Sequence, residues 1–234
     1  MNLQVTEIKH YTESLFRIRT ERPSSFRFTA GEFTMVGMEG TPKRAYSLTS
    51  GPYDDYLEFY SIKVPDGPLT SRLRHIHVGD YLEVSEKTTG TLTLANLELG
   101  GNLWLLATGT GIAPFISILR DPTTYDHFDQ IHVYWSVREA QDLQSYDSFL
   151  QEQPIKYTAT VTQDPTWRGH NKRITTFIRA GQIVPNLEPS EHKIMICGSL
   201  DFNKEVADMF DGWGFKQGTN KQAGTFVQEK AFVS

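Results

Sequence analysis

The hydrophobic pattern of this 234-residue chain changes near residue 98. Before that point, short segments rich in β-branched and aromatic residues are separated by glycine and proline turns, and only residues 69–76 favour a helix. After it, apolar strands alternate with helical segments. The first pattern predicts a closed antiparallel β-barrel, and the second predicts an α/β domain with a doubly wound, mainly parallel sheet. We therefore predict two domains, residues 1–98 and residues 99–234.

The predicted elements follow from these patterns. Strands are expected in the first half at 15–19, 33–36, 44–47, 56–64 and 81–84. Strands are expected in the second half at 103–107, 131–135, 155–161, 193–197 and 225–228, with helices at 114–120, 140–151 and 203–211.

Charge and cysteine content exclude several classes of protein. The chain has 23 basic and 28 acidic residues, a net charge of −5, which argues against nucleic acid as the main partner. Its single cysteine, Cys197, excludes an intrachain disulfide and a four-cysteine zinc or iron–sulfur site. No window is long and apolar enough to span a bilayer, and no signal peptide is recognisable. We expect a cytoplasmic monomer without a metal site or membrane partner.

A glycine turn in the second half predicts a nucleotide site. Gly109-Thr110-Gly111 follows an apolar strand and precedes a helix, and Pro114 stands where the usual dinucleotide fingerprint has its third glycine. Two glycines allow the backbone to approach a diphosphate, and the first N–H groups of the helix are available to bind it. Ordinary tight turns also contain this pattern. Its position directly after a strand favours the nucleotide interpretation.

Three more residues of the second half are candidates for the same site. Cys197 ends an apolar strand, at the edge where open α/β sheets bind ligands; the alternative is an inert buried cysteine. Arg138 follows the second strand of the domain, and Arg173 lies further along the chain. Arginine at such positions suits the 2′-phosphate of NADP, although for either arginine alone a solvated surface residue is the better interpretation.

Two segments of the first half are candidates for a flavin site. In Arg44-Ala45-Tyr46-Ser47, a strand would direct Arg44 and Tyr46 to one face and Ala45 and Ser47 to the other. Residues 65–71 form a turn into a short helix, where free N–H groups and the Thr70 and Ser71 hydroxyls could bind phosphate. The alternatives are an ordinary strand and an ordinary helix cap.

Taken together and in order, these motifs resemble the ferredoxin–NADP reductase family. The resemblance rests on residues 44–47, 59–71, 109–115 and 197–200. The closing Glu229-Lys230-Ala231-Phe232-Val233 is similar to the bacterial ferredoxin/flavodoxin–NADP reductases in particular. The resemblance to this family implies FAD and NADP(H) as cofactors.

The resemblance also implies roles for individual residues near the flavin. Arg44 would bind the FAD diphosphate, Tyr46 would pack on the isoalloxazine, and Ser47 would lie near N5. Within the same strand, Ala45 counts among the cofactor-binding residues. The remaining flavin-binding residues would be Ser61, Ile62, Lys63 and Val64 on the ribityl and adenine side and Leu69, Thr70 and Ser71 at the diphosphate.

A second set of implied roles concerns the nicotinamide and the C-terminus. Thr110, between Gly109 and Gly111, would meet both nicotinamide and flavin, and Cys197 would lie behind the nicotinamide. Glu229 would be the carboxylate that assists proton movement. Ala231 would cover the flavin ring, and Phe232 would stack on the adenine of FAD.

One departure from the family pattern affects nucleotide preference. Bacterial members commonly read Val-Thr-Arg-Glu after the third strand of the nucleotide domain, whereas this chain reads Val161-Thr162-Gln163-Asp164. A charged contact to phosphate is worth about 1.5–3 kcal/mol and a neutral one about 1 kcal/mol. We therefore expect Arg138 and Arg173 to maintain a preference for NADPH that is weaker by roughly tenfold.

The implied activity is hydride transfer from NADPH to FAD and single-electron transfer to ferredoxin or flavodoxin. Both acceptors are usually acidic, so Lys43, Arg72 or Arg74 would have to provide local positive charge for docking. Two alternatives remain open: an NAD(P)H:flavin reductase that uses free flavin, and a flavin redox sensor without turnover. An oxygenase-type reductase with its own [2Fe–2S] centre is excluded by the single cysteine.

Overall fold

Contacts divide the chain into two units in the computed structural model, which describes residues 1–64, 67–186 and 188–230. The first unit contains residues 1–90 together with 113–121. The second contains residues 91–112 and the described residues from Pro122 onward. The helix that follows the glycine turn therefore has most of its contacts with the first unit.

The first unit is built on a six-stranded antiparallel sheet with strand order β4-β3-β6-β1-β2-β5. Its elements are β1 (Asn2–His10), β2 (Leu15–Glu21), β3 (Phe33–Gly37), β4 (Arg44–Ser47), β5 (Tyr56–Ile62), β6 (Tyr81–Thr89), α1 (Thr70–Leu73) and α2 (Ala113–Leu119). The antiparallel prediction is confirmed. Sequence reasoning missed β1, in which only Leu3 and Val5 are buried, too few to produce a clear apolar pattern.

The predicted closure of the barrel needs correction, because the sheet is barrel-like but not closed. The chain directly after β4 contacts β5 through an isolated bridge between Leu48 and Phe59 and a hydrogen bond from Thr49 N to Glu58 O, and these contacts do not form a ladder. Strand β4 has only four residues, which limits the ladder it can form. A closed ladder needs continuous pairing around the whole sheet.

A buried ion cluster connects several segments of the first unit. The side chain of Glu58 in β5 is fully buried, and its carboxylate accepts hydrogen bonds from Arg19 Nε at 2.6 Å and Arg120 Nη1 at 2.9 Å. Burial alone would raise the pKa of this carboxyl. The charges of Arg120, Arg17 and Arg19 outweigh burial and hold the pKa below its usual range.

The second unit is a five-stranded parallel sheet with strand order β11-β10-β7-β8-β9 and helices, which confirms the predicted α/β architecture. Its elements are β7 (Asn102–Thr108), β8 (Gln130–Val137), β9 (Lys156–Val161), β10 (His192–Gly198), β11 (Phe226–Lys230), α3 (Asp147–Glu152), α4 (Ile174–Arg179) and α5 (Leu200–Gly212).

Two helices of this unit differ from the sequence prediction. The helix expected at 140–151 is divided at Tyr146 into a 3-10 segment, Ala140–Ser145, and α3. Helix α4 was not predicted, because its six residues are too few to establish a helical period. Among the described residues, no helix is long and apolar enough to cross a membrane, and no group of three or more potential ligands could hold a metal ion.

Candidate functional site

In the first unit, the candidate flavin residues begin with strand β4. All four of its residues are half-buried, and β4 pairs with β3 at the edge of the sheet. The Tyr46 hydroxyl shares a hydrogen bond of 3.1 Å with Ser61 Oγ, and its ring meets Phe59 edge-on at 6.3 Å between centroids. Burial raises the pKa of Tyr46, so the phenol stays neutral. The tyrosine is therefore held in one orientation by two residues of β5.

Arg44, in contrast, makes little hydrogen-bonding contact with the described residues. The only hydrogen bond that its guanidinium makes among the described residues is a long one of 3.4 Å from Nη1 to Lys43 O. Since a guanidinium has five N–H donors, most of its donor capacity is available to an anion. This donor set fits a diphosphate.

The second candidate flavin segment is a turn that leads from β5 into α1. Ser61 and Leu69 are buried, and Ile62, Lys63, Val64, Thr70 and Ser71 are half-buried. The Thr70 hydroxyl accepts a hydrogen bond of 3.1 Å from Val64 N, which connects the residues after β5 with the start of α1. This hydroxyl, predicted to bind phosphate, therefore already has a partner within the segment.

In the second unit, the glycine turn lies at the carboxyl edge of the parallel sheet. Residues 109–112 form a 3-10 turn that continues directly into α2. Gly109 has a φ of +53°, and a Cβ built on it would meet nothing within 4 Å. Gly111 is the opposite case, since a Cβ there would lie 2.2 Å from the carbonyl oxygen of Cys197. One glycine leaves space in front of the backbone, and the other allows the turn to pack against β10.

Strand register brings Cys197 and Glu229 to this same edge. Cys197 in β10 pairs with Ala107 in β7 on one side and with Glu229 in β11 on the other. Burial, and secondarily the charge of Glu229, raise the pKa of the Cys197 thiol well above its ordinary value, so the thiol stays protonated. Glu229 is 8% exposed, and its Oε2 accepts a hydrogen bond of 3.0 Å from Thr91 N.

The candidate residues for the 2′-phosphate lie beyond the ends of β8 and β9. Arg138 directly follows β8, and its carbonyl accepts a hydrogen bond of 2.8 Å from Gln163 N. Arg173 caps α4, shortly after a bridge between His170 and Thr160 of β9. Arg138, Gln163 and Arg173 are all exposed. Asp164 is occupied locally, because Oδ1 accepts hydrogen bonds from the amide and hydroxyl of Thr166.

The structure adds three residues that sequence reasoning did not select. Trp135 Nε1 donates a hydrogen bond of 2.8 Å to Gly109 O. Thr91 Oγ1 donates to Gln228 O at 2.8 Å, and Asn203 Nδ2 donates to Glu229 O at 2.7 Å. No local motif identifies these residues, because each contact joins positions at least 26 apart in the chain.

The remaining sequence predictions concern the C-terminal residues and the cations proposed for docking of the acceptor protein. Ala231 and Phe232 lie outside the described residues. Among the proposed docking cations, Lys43 forms an ion pair of 3.4 Å with Glu83, and Arg72 donates to Glu39 O at 2.7 Å. Arg74 is half-buried.

Comparisons with known proteins identify relatives of this chain. Residues 105–208 match the family model of the oxidoreductase NAD-binding domain. The chain is 40% identical over 250 residues to ferredoxin–NADP reductase A of Sorangium cellulosum, covering 98% of this chain and 89% of that protein. It is 42% identical over 250 residues to the flavodoxin/ferredoxin–NADP reductase of Rhodobacter capsulatus, covering 98% and 92%. A solved ferredoxin NADP⁺ reductase from Neisseria gonorrhoeae with bound FAD and NADP has a TM-score of 0.90 and 29% identity, covering 99% and 98%.

Proposed function

Because this chain belongs to the ferredoxin/flavodoxin–NADP reductase family, an oxidoreductase family, we propose that it transfers a hydride between NADPH and FAD and passes single electrons to ferredoxin or flavodoxin. The observation that carries this proposal is the alignment of the glycine turn, Cys197 and Glu229 at one edge of the parallel sheet. That edge is where open α/β sheets bind nucleotides. FAD, when bound, supplies the step from two-electron to one-electron chemistry.

We assign FAD to the predicted domain 1–98. The free donors of Arg44 would bind its diphosphate, and the orientation of Tyr46 by Ser61 and Phe59 gives a fixed aromatic surface for the isoalloxazine. Ser47 would contribute a hydroxyl near N5. Residues 61–64 and 69–71 would complete the site, together with Ala45, and Ala231 and Phe232 would cover the flavin and its adenine.

NADP(H) is assigned to the predicted domain 99–234. The turn Gly109-Thr110-Gly111 would bind the diphosphate through its backbone N–H groups. Arg138 and Arg173, exposed beyond the sheet, would bind the 2′-phosphate. Cys197, as a neutral buried thiol, would limit the nicotinamide position by its shape and polarity. Glu229 would hold or release a proton at its carboxyl group.

A monomer in the cytoplasm completes the proposal. The large apolar side chains most exposed in the described residues are Tyr53, Val78, Tyr81, Leu99 and Leu200, of which only Val78 and Tyr81 are close together in the sequence. The acceptor would be ferredoxin or flavodoxin, with no nucleic acid or membrane partner. Size-exclusion chromatography with light scattering tests the monomer, and cell fractionation tests the location.

One steady-state screen tests the function. The purified protein is assayed with NADPH and NADH against ferredoxin, flavodoxin and free FMN, and its bound flavin is identified after release. We expect bound FAD, a preference for NADPH, and fast reduction of ferredoxin or flavodoxin. Flavin lost on gel filtration with activity only toward free flavin would identify a flavin reductase. Bound FAD with no turnover would identify a sensor.

The role of Ser47 has its own test. Ser47→Ala should slow flavin reduction by NADPH in stopped-flow absorbance without releasing FAD. Thr12→Ala, a half-buried hydroxyl in the turn before β2, is the control and should leave the rate unchanged. Hydride transfer at the wild-type rate in Ser47→Ala would reject the assignment.

A further inference from the structure

Trp135 contacts the glycine turn from the neighbouring strand. Its side chain is fully buried in β8, where it pairs with Ala107 of β7. From there, Nε1 donates a hydrogen bond of 2.8 Å to the carbonyl oxygen of Gly109. An indole has a single N–H donor, and because this indole is buried, the donor needs a hydrogen-bond partner within the protein. The direction of the Gly109 carbonyl is therefore coupled to the position of this indole.

Fixing that carbonyl also fixes the next amide. The Gly109–Thr110 peptide is trans, as are the other peptide bonds of the described residues. In a trans peptide, the C=O and the N–H point in opposite directions. Because Gly109 O points to Trp135, Thr110 N–H points away from the indole. This N–H lies in the first turn of a helix, where amides have no partner within the helix.

Space and rigidity on either side favour an anion at this amide. A Cβ on Gly109 would meet nothing within 4 Å, so the turn is open there. On the other side, Gly111 packs against Cys197 O, and Ser199 N donates to Thr108 Oγ1 at 3.2 Å. The chain is thus held before and after the peptide, and Gly109, which adopts many backbone conformations, is its most adaptable point.

We propose that Trp135 is a positioning residue for nucleotide binding: its indole N–H holds the Gly109 carbonyl away from the ligand so that Thr110 N–H faces the diphosphate. This inference rests on the proposed function, because it assumes that the turn binds NADP(H). Without the indole donor, the Gly109 peptide can rotate and present its carbonyl oxygen to the phosphate. A donor would then be replaced by a repulsive acceptor.

A matched pair of substitutions tests the proposal. Trp135→Phe removes the indole donor and keeps an aromatic ring. Trp104→Phe makes the same chemical change in the adjacent strand β7, where Trp104 Nε1 donates to His192 Nδ1 at 3.1 Å. Trp104 is also buried, at 4% exposure, but it lies toward the opposite edge of the sheet from the glycine turn. Both variants lose one buried hydrogen bond, and only one of these bonds involves the turn.

The measurements are the dissociation constants of NADP⁺ and NAD⁺ by calorimetry on the FAD-loaded protein, kcat and KM for both reduced nucleotides, and Tm. A hydrogen bond worth about 1 kcal/mol corresponds to roughly a fivefold change in affinity. We expect Trp135→Phe to raise the dissociation constants of NADP⁺ and NAD⁺ by about fivefold each. The ratio of the two constants and kcat should be unchanged, because both nucleotides contain the same diphosphate. Trp104→Phe should lower Tm but bind both nucleotides like wild type.

The other outcomes distinguish failure of the positioning role from failure of the proposed function. Wild-type affinity in Trp135→Phe, or equal weakening in both variants, would overturn the positioning role. Failure of the wild-type protein to bind NADP⁺ or NAD⁺ would instead overturn the proposed function. If Trp135→Phe does not fold, replacing the Trp135 indole with its benzothiophene analogue removes the N–H at nearly constant shape, and the same affinities are expected.

Discussion

The two units stabilise their buried polar groups in different ways. In the first, the buried carboxylate of Glu58 is surrounded by the guanidinium groups of Arg17, Arg19 and Arg120. In the second, the buried indoles make neutral hydrogen bonds, from Trp135 to a carbonyl oxygen and from Trp104 to an imidazole. The first arrangement depends on opposite charges remaining paired. The second depends on close fit and on histidines remaining uncharged, so the two should fail under different changes.

Removing the carboxylate should have the largest effect. Glu58→Gln leaves three guanidinium groups around a neutral amide, and loss of one partner from a buried ion cluster costs about 3–5 kcal/mol. Urea unfolding of the FAD-loaded protein measures this loss. Glu7→Gln is the control: its side chain is 42% exposed and pairs with Arg17 and Arg19, so we expect a loss of about 1 kcal/mol or less. Equal losses would contradict the distinction.

Adding a side chain to the glycine turn should destabilise the second unit, because the turn packs closely against β10. Gly111→Ala would place a Cβ 2.2 Å from Cys197 O, so the backbone of the turn or of β10 must shift. We expect the free energy of unfolding to fall by about 3 kcal/mol. Gly109→Ala has space around its Cβ and should cost only about 1–2 kcal/mol for its left-handed backbone. Thermal unfolding measures both. A larger fall in Tm for Gly109→Ala than for Gly111→Ala would be inconsistent with this packing.

Adding a cation to the second unit should change nucleotide preference. Gln163 is exposed and its backbone N–H donates to Arg138 O, so Gln163→Arg adds a guanidinium group close to Arg138. A charged in place of a neutral phosphate contact should raise the NADPH/NADH ratio of kcat/KM roughly tenfold. Gln163→Met, similar in length but uncharged, should not raise it. An unchanged ratio in Gln163→Arg would show that this position does not reach the 2′-phosphate.

Mild acid should weaken the second unit before the first. Burial, helped by the charges of Lys156 and His192, lowers the pKa of His132 to about 4, and its ring stacks on Trp104 at 3.8 Å. The unfolded chain takes up this proton near pH 6.5, whereas the folded chain does not until about pH 4. The free energy of unfolding should therefore fall as pH decreases from 6.5 to 4, by about 1 kcal/mol once solvent screening is allowed for.

The pKa of Glu58 is also lowered in the folded state, but it affects stability in a lower pH range than the pKa of His132 does. The lowered pKa of Glu58 contributes stability that is present above about 4.5 and is lost only as the pH falls below that value. His132→Gln should thus flatten the dependence of stability on pH between 6.5 and 4.5, measured by urea unfolding at several pH values. His77→Gln, at a histidine that is 85% exposed, is the control and should retain the wild-type slope. The same slope in His132→Gln and wild type would exclude this source.

Sequence patterns predicted local features well and distant contacts poorly. Strands such as 103–107 and the turn at 109–111 were predictable because apolar runs and glycine spacing are properties of neighbouring residues. Strand β1 and helix α4 were missed because their patterns are short or weakly apolar. The hydrogen bond between Tyr46 and Ser61 was not predictable, since it joins side chains of β4 and β5, the two edge strands of the sheet, which no local pattern places together.

The sequence by itself determined that the first half is an antiparallel sheet and the second half a parallel α/β sheet. It also determined the motifs of the ferredoxin/flavodoxin–NADP reductase family and the exclusion of a four-cysteine metal site, because periodicity, motif order and residue counts are properties of the sequence alone. Only the tertiary structure decided that Glu229 lies beside Cys197, that Gly111 must lack a side chain, and that Trp135 holds Gly109. These contacts depend on strand order and register. Both arise when distant segments pack together to remove their apolar surface from water.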